Sequence, residues 1–480
     1  MDKKLNVLMV AYEAAPFFKR GGLGDVMESL PKALKNLDVD SRIVIPYYRE
    51  IQKLFPEEKV TTLSIEFDSS KEQVEVYRGE NLAGKVKAYF LKSKRYLEGP
   101  NVRGKNKRID QFAFFDLAVA HFVLWLHKNR HWMPNVIHCN DWHTALIPLV
   151  LNKKLNLDIP TLLTIHNLNY QGRGSLKVLD ILQIKDENTK EIKRGKPATE
   201  INVLGEGIIH ASRVTTVSPS YAKEIVVDYE KNPIAPFLKK RHEDSSKKDG
   251  EIIGILNGID YDIWSPKIDK QIYKTYDDSS WEAGKAVNKY ELLKELGLTD
   301  RPTFCFIGRM AWQKGIDILI KALKTMKVSE FNLIFLGSGT PSIERSVLRI
   351  AKNFPSNIKA IVSYNEEMAH KIYAGADFII IPSHYEPCGL IQMVAMKYGT
   401  IPIAAATGGL ADSIQDAENG ILFKKNSASA LIKSIREALR IYENPNHFKF
   451  MIMRAMKTDF SWDKSAILYK KMYEDIVKAQ

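Results

Sequence analysis

Cys305-Phe306-Ile307-Gly308-Arg309-Met310-Ala311-Trp312-Gln313-Lys314-Gly315 and Pro382-Ser383-His384-Tyr385-Glu386-Pro387-Cys388-Gly389-Leu390 share one grammar. Each joins an apolar run (304–307; 378–381) through a short polar loop to a helical pattern (316–324; 391–398). Near-continuous apolar runs alternating with helices predict a parallel sheet buried on both faces. Loops in such a sheet gather at the carboxyl edge of the strands, where ligands bind. One loop supplies two cations, Arg309 and Lys314; the other supplies Glu386 beside the start of a helix. Cations and helix N-termini suit phosphate, and a carboxylate suits a sugar hydroxyl or developing positive charge. The combination reads as a nucleotide-sugar site.

The same alternation extends outward in both directions. Ahead of the site, 5–11 is an apolar run followed by Lys19-Arg20-Gly21-Gly22-Leu23-Gly24-Asp25 and a helical pattern over 26–37. Glycines let backbone amides approach a ligand, and the helix points its positive end at the loop. Taken alone, this turn fits a ligand loop and an empty strand-to-helix turn equally well, and it lacks the Gly-x-Gly-x-x-Gly spacing of a dinucleotide site. A strand is expected over 42–46, an antiparallel flap over 57–94, a helix over 111–128 and a strand over 136–138. Asn140-Asp141-Trp142-His143 then leads into a helix over 144–151, and a strand over 161–165 ends in His166-Asn167. The charged, serine-rich stretch 239–250 marks a boundary, with a strand over 252–256 opening the second half. Strands at 332–336, 358–362 and 401–404 then alternate with helices. The expected fold is α/β: two doubly wound Rossmann-like domains, 1–247 and 248–458, facing across a cleft, with a last helix in 459–480 packing back on the first.

Composition narrows the function. The chain has 480 residues, too many for one core, with 45% hydrophobic and 26% charged residues, as in ordinary soluble proteins. A net charge of +13 invites nucleic acid, yet the basic runs Lys239-Lys240-Arg241 and Lys247-Lys248 are short, loop-like and free of interleaved aromatics. Three dispersed cysteines form no disulfide framework. The run after Met1 reads as a strand and not a signal peptide, and no apolar run reaches a membrane span, so a cytoplasmic setting is expected. His138, His143 and His166 lack zinc-pair spacing, Asp38-Val39-Asp40 lies in a helix-to-strand connection and Asp260-Tyr261-Asp262 follows an Asn-Gly turn; no metal site is expected.

Taken together, the motifs resemble those of the bacterial glycogen and starch synthases, retaining glycosyltransferases of the GT-B type. The likeness spans essentially the whole chain. It rests on Lys19-Arg20-Gly21-Gly22-Leu23, Asp141-Trp142-His143 and Thr164-Ile165-His166-Asn167-Leu168, with Tyr170-Gln171-Gly172 close behind. Val217-Ser218-Pro219-Ser220, Asn257-Gly258-Ile259-Asp260, Arg309 with Lys314, Glu386-Pro387-Cys388-Gly389-Leu390, Thr407-Gly408-Gly409-Leu410 and Asp459-Phe460-Ser461-Trp462 complete it.

The resemblance implies transfer of glucose from ADP-glucose to the non-reducing end of an α-1,4-glucan, without metal or other cofactor. It implies Glu386, His166, Arg309 and Lys314 as the catalytic set. Donor binding would fall to Lys19, Gly21, Gly22, Arg309, Lys314, Tyr364 (over the adenine), Cys388, Gly389, Leu390 and Thr407. Asp141, Asn167 and Asn257 would line the sugar and acceptor side. Cys388 reads as a packing or backbone-donating residue, since no activating partner is evident. Retention is open between double displacement with Glu386 as nucleophile and a front-face route in which the leaving phosphate takes the acceptor's proton. A sugar-nucleotide epimerase of the same fold and a catalytically idle glucan-binding protein are the alternatives. Departures at Ala404-Ala405-Ala406, Leu204-Gly205-Glu206-Gly207, Gly24 and Arg20 leave donor preference and acceptor fit open.

Overall fold

The computed structural model describes residues 4–53, 58–80, 86–99, 107–129, 132–184, 200–227, 234–244 and 251–479. The chain divides into two compact units: Met1–Val217, Ala222–Ile255 and Trp462–Gln480 form the first, Ser218–Tyr221 and Leu256–Ser461 the second.

The first unit holds β1 (Leu5–Val10), β2 (Val39–Pro46), β3 (Glu58–Phe67), β4 (Ser70–Glu80), β5 (Lys87–Lys92), β6 (Val136–Asn140), β7 (Thr161–Ile165), β8 (Arg173–Ser175), β9 (Glu200–Asn202), β10 (Arg213–Thr216) and β11 (Ile253–Gly254). Apart from the small β8–β9 ladder these make one sheet, ordered β11-β10-β7-β6-β1-β2-β5-β4-β3. Buried strands such as β6 and β7 lack polar alternation because helices cover both faces of a parallel sheet. The segment expected as a flap belongs to this sheet: β4 is antiparallel to β3 and β5, and β5 pairs in parallel with β2.

Helix Gly22–Lys35 puts Val26, Met27, Leu30 and Leu34 into a core shared with Val7, Met9, Ile43 and Ile45. Helix Trp462–Lys478 joins the same core through Trp462, Ala466, Tyr469 and Tyr473. There the Tyr473 hydroxyl lies 2.8 Å from His138 Nδ1, and Thr164 Oγ1 lies 2.7 Å from Nε2. Both ring nitrogens are therefore engaged by protein hydroxyls, which makes His138 structural.

The structure corrects several expectations in this unit. The strand placed at 252–256 does not open the second half; Ile253–Gly254 pairs with β10 and finishes the first sheet. The boundary accordingly falls at Ile255 instead of residue 247, and the last helix begins at Trp462. The expected helix 144–151 is broken into a 3-10 turn (Trp142–Thr144), one α-turn (Ile147–Leu149) and a π-turn (Val150–Lys154). Thr144 Oγ1 competes there for backbone groups, accepting the Asn140 N–H at 2.7 Å and lying 3.0 Å from the Asn140 carbonyl. Lys239-Lys240-Arg241 is helical, within Ala235–Glu243, and Arg241 is buried, donating to the carbonyls of Ile208, Ala211 and Ser212. Lys247-Lys248 lies outside the described residues. Helix Lys107–Asn129 has the length and hydropathy of a membrane span over Ile109–Asn129, contrary to the sequence expectation, but most of that stretch is buried inside the unit.

The second unit holds β12 (Thr303–Ile307), β13 (Asn332–Leu336), β14 (Ile358–Ile361), β15 (Phe378–Ile381), β16 (Ile401–Ala405) and β17 (Ile421–Phe423). All pair in parallel, in the order β14-β13-β12-β15-β16-β17. The chain runs outward from β12 through β13 to β14, then restarts on the other side of β12 at β15. The first sheet does the same, from β1 outward to β2 and then back to β6 beside β1. Each unit thus has one switch point, where loops after adjacent strands diverge and leave a crevice.

Tyr473→Phe removes a hydroxyl from a fully buried pair and leaves His138 Nδ1 without it. The first unit should lose about 1–2 kcal/mol, read as a lower melting temperature. An unchanged melt would show that the bond contributes nothing.

Candidate active site

In the second unit the switch point lies between β12 and β15, so the loops after these strands are neighbours although 72 residues separate Lys314 from Glu386. The first loop turns through a 3-10 helix, Trp312–Lys314, and Gly315 before helix Ile316–Leu323. Gly315 has φ +67°, and a Cβ there would stand 1.7 Å from the Pro382 carbonyl oxygen. Only glycine allows the two backbones to approach so closely. The Trp312 ring stacks on His384 with centroids 4.1 Å apart, and the His384 N–H donates to the Gln313 carbonyl at 2.8 Å.

This contact delivers the side chains. Lys314 Nζ donates to Glu386 Oε2 at 2.6 Å, and Ser383 Oγ donates to the same oxygen at 2.9 Å. Glu386 is 5% exposed, so its charge is held inside the loops and balanced by the ammonium. Among the described residues Oε1 takes no donor, which leaves that oxygen for a hydroxyl. Arg309 Nη2 donates to Gln313 Oε1 at 2.9 Å, and Gln313 Nε2 points at the Tyr385 carbonyl at 3.4 Å. Both cations therefore reach the Glu386 loop, Lys314 directly and Arg309 through Gln313.

A third loop, after β16, closes on the same backbone. Thr407 precedes helix Gly408–Ser413, and the Gly409 N–H donates to the Glu386 carbonyl at 3.0 Å. Gly408 has φ +46°, and a Cβ there would stand 2.0 Å from that same carbonyl. Cys388 is buried, which pushes its thiol up to about 12, and its sulfur accepts the Asn257 N–H. Asn257 belongs to the second unit and lies against Cys388; among the described residues its buried Oδ1 has no partner. Gly389 and Leu390 lead into helix Ile391–Lys397. Tyr364 is 77% exposed, with its hydroxyl 3.0 Å from Glu366.

The first unit repeats the geometry with different chemistry. Asp141, at φ +60°, follows β6, and its Oδ1 accepts the N–H groups of His166 (2.7 Å) and Asn167 (3.2 Å) after β7. Burial pushes the Asp141 carboxyl up to about 7, against the pull of those two donors. Burial also holds His166 down to about 3, so its imidazole is neutral. Asn140 Nδ2 donates to the carbonyls of Val10 and His138, which leaves its Oδ1 as acceptor for His166 Nε2 at 2.9 Å. The tautomer follows: Nε2 carries the proton and Nδ1 is an open acceptor. After β1, Lys19 Nζ donates to Asp25 at 2.7 Å. The Gly21 N–H, expected to face a ligand, instead donates to Glu13 at 3.0 Å, because a buried carboxylate lies beneath the turn.

Sequence reasoning missed Glu13, Gln313 and Ser383. Gln313 and Ser383 stand inside the quoted loops; the role of Gln313 depends on a partner 72 residues away that the pairing of β12 with β15 brings near, and that of Ser383 on how its own loop folds back to Glu386 three residues on. Among the described residues no cluster of His, Cys, Asp or Glu is placed to hold a metal ion.

The starch synthase catalytic domain model matches residues 6–240, and the glycosyl transferases group 1 model matches residues 288–450. A glycogen synthase of Thermodesulfovibrio yellowstonii is 36% identical, with 98% of each chain covered. Those of Geotalea uraniireducens and Thermotoga maritima are 35% identical at the same coverage. The solved catalytic domain of starch synthase IV from Arabidopsis thaliana, bound to ADP and acarbose, is 29% identical with a TM-score of 0.89, covering 99% of this chain and 100% of that one. A sucrose-phosphate synthase from Thermosynechococcus elongatus, 18% identical at a TM-score of 0.61, shares the fold. The fold is GT-B, with two Rossmann-like domains.

The raised carboxyl of Asp141 has a signed consequence. Its contribution to stability is complete below its ordinary value of 3.8 and is lost as pH rises through about 7. Asp141→Asn keeps the acceptor oxygen without the charge, so relative to wild type it should gain roughly 3 kcal/mol between pH 5 and pH 8. Melting curves of both proteins at the two pH values check this; a constant difference would mean an ordinary carboxylate.

Proposed function

The chain belongs to the glycogen and starch synthase family of glycosyltransferases, and on that premise we propose that it lengthens an α-1,4-glucan by transferring glucose from ADP-glucose with retention of configuration. The observation that carries this reading is the Lys314–Glu386–Ser383 cluster at the switch point, with Arg309 on the same loop.

Arg309 and Lys314 bind the donor's diphosphate and stabilise the charge that grows on it as the glycosidic bond breaks. An ammonium has three donors, so Lys314 can hold Glu386 and a phosphate oxygen together. These fixed cations supply the charge for which a metal ion would otherwise be needed. Glu386 Oε1 accepts a hydroxyl of the transferring glucose and lies ready for the positive charge that develops on the ring. Its Oε2, tied to Lys314 and Ser383, makes this carboxylate a holder of hydroxyls more than a nucleophile. Retention then follows the front-face route, with the departing phosphate taking the acceptor's proton. Neutral His166 offers Nδ1 to a sugar hydroxyl; Asp141 and Asn167 order the loops around it. Lys19 and the N–H of Gly22 contact the donor, Tyr364 covers the base, and Thr407 with the Cys388–Leu390 backbone completes the donor set.

Incubation with ADP-glucose or UDP-glucose and glycogen, without added metal, should release ADP preferentially and extend the glucan. No release and no extension would defeat the proposal, and turnover without acceptor would point to an epimerase. Lys314→Ala should lower kcat by about a hundredfold or more, the scale of losing one preorganised donor to a developing anion. A smaller loss would remove Lys314 from the transition state.

A further inference from the structure

Glu13 lies in the loop after β1 and is 0% exposed. Its Oε2 accepts the N–H groups of Arg20 and Gly21, and its Oε1 accepts that of Gly24 at 3.2 Å. The Tyr12 hydroxyl also hydrogen-bonds to this carboxyl, and the Tyr12 ring stacks on His143 at 3.9 Å, beside Asp141. A buried carboxylate at a helix start is favoured by the helix dipole and by the unpaired N–H groups of the first turn. Here it takes three of the amides on which a glycine-rich ligand loop depends. Among the described residues the N–H groups of Gly22 and Leu23, the next two along helix Gly22–Lys35, have no protein acceptor. Gly24 also leaves room for the Lys19 stem: a Cβ there would stand 3.0 Å from Lys19 Cγ.

We propose that Glu13 is the positioning residue of this loop, a buried carboxylate that binds the amides of Arg20, Gly21 and Gly24 and thereby presents Lys19 and the Gly22 and Leu23 amides to the phosphates of the donor. The inference rests on the donor-binding role given to Lys19 and Gly22 above. Glu13 does not touch the donor; it occupies the inner side of the loop so that the outer side keeps one shape. An amide in its place has one oxygen where the carboxylate has two, and its NH2 would face N–H donors.

The test uses the full-length enzyme with Glu13→Gln, and with Glu13→Asp, which keeps the charge but withdraws it by one methylene. Two quantities are measured: hydrogen exchange of amides 20–24 without ligand, and initial rates against ADP-glucose at saturating glycogen, with ADP as inhibitor. Expected are faster exchange confined to these amides and a donor KM raised about tenfold, the equivalent of one charge-assisted hydrogen bond. ADP inhibition should weaken in parallel, with kcat and the glycogen KM within about twofold of wild type. If Glu13→Gln does not fold, Glu13→Asp carries the same readouts. Unchanged exchange in a folded variant overturns the positioning role. Faster exchange with an unchanged donor KM, matched by an unchanged KM in Lys19→Ala, overturns the donor-binding reading of the loop instead. A parallel loss in kcat, both KM values and melting temperature would reduce Glu13 to a structural residue and overturn the proposal.

Discussion

Lys314 Nζ and Glu386 Oε2, 2.6 Å apart, join the loops after two adjacent parallel strands, and the chemistry of the second unit is arranged about that bond. The pairing of β12 with β15 at the switch point puts the loops side by side. Gly315 against the Pro382 carbonyl and Gly408 against the Glu386 carbonyl then allow backbones to approach to distances that a Cβ would forbid. With the backbone so constrained, a carboxylate only 5% exposed is tolerable because an ammonium and a hydroxyl share one oxygen. Among the described residues the other oxygen takes no donor, which leaves its polarity unspent.

The first unit solves the same topological problem with different electrostatics. Two of its buried acids, Glu13 and Asp141, are met by backbone N–H groups. Desolvation raises both carboxyls and holds His166 neutral. A neutral, hydrogen-bonding environment suits sugar hydroxyls, whereas the paired cations of the second unit suit a diphosphate.

Much of this was legible from the chain because parallel sheets write themselves as apolar runs separated by loop and helix patterns. Five of the six strands expected in the second domain appear there where those runs lie, and Arg309, Lys314 and Glu386 fall on the loops expected to carry them. The short β17 was not legible, since three residues, Ile421–Phe423, carry no periodicity. Nor was the junction at Ile255: Ile253 and Gly254 look like the start of something new, and only their pairing with β10 shows that they finish the first sheet. Arg241 looked like part of a solvated basic run because a buried guanidinium bonded to three carbonyls has no local signature.

The amino-acid sequence by itself determined the alternation of strands and helices, the doubly wound class and the residue types available to phosphate and sugar, since hydrophobic period and local turn chemistry act over a few residues. Only the tertiary structure decided which of those residues are partners. Glu13 accepts from residues 7 to 11 positions away and Glu386 from one 72 away, in directions set by strand order and glycine contacts. Hydrogen bonds and ion pairs form at about 3 Å, and no pattern along the chain encodes a distance that the packing of non-adjacent strands alone establishes.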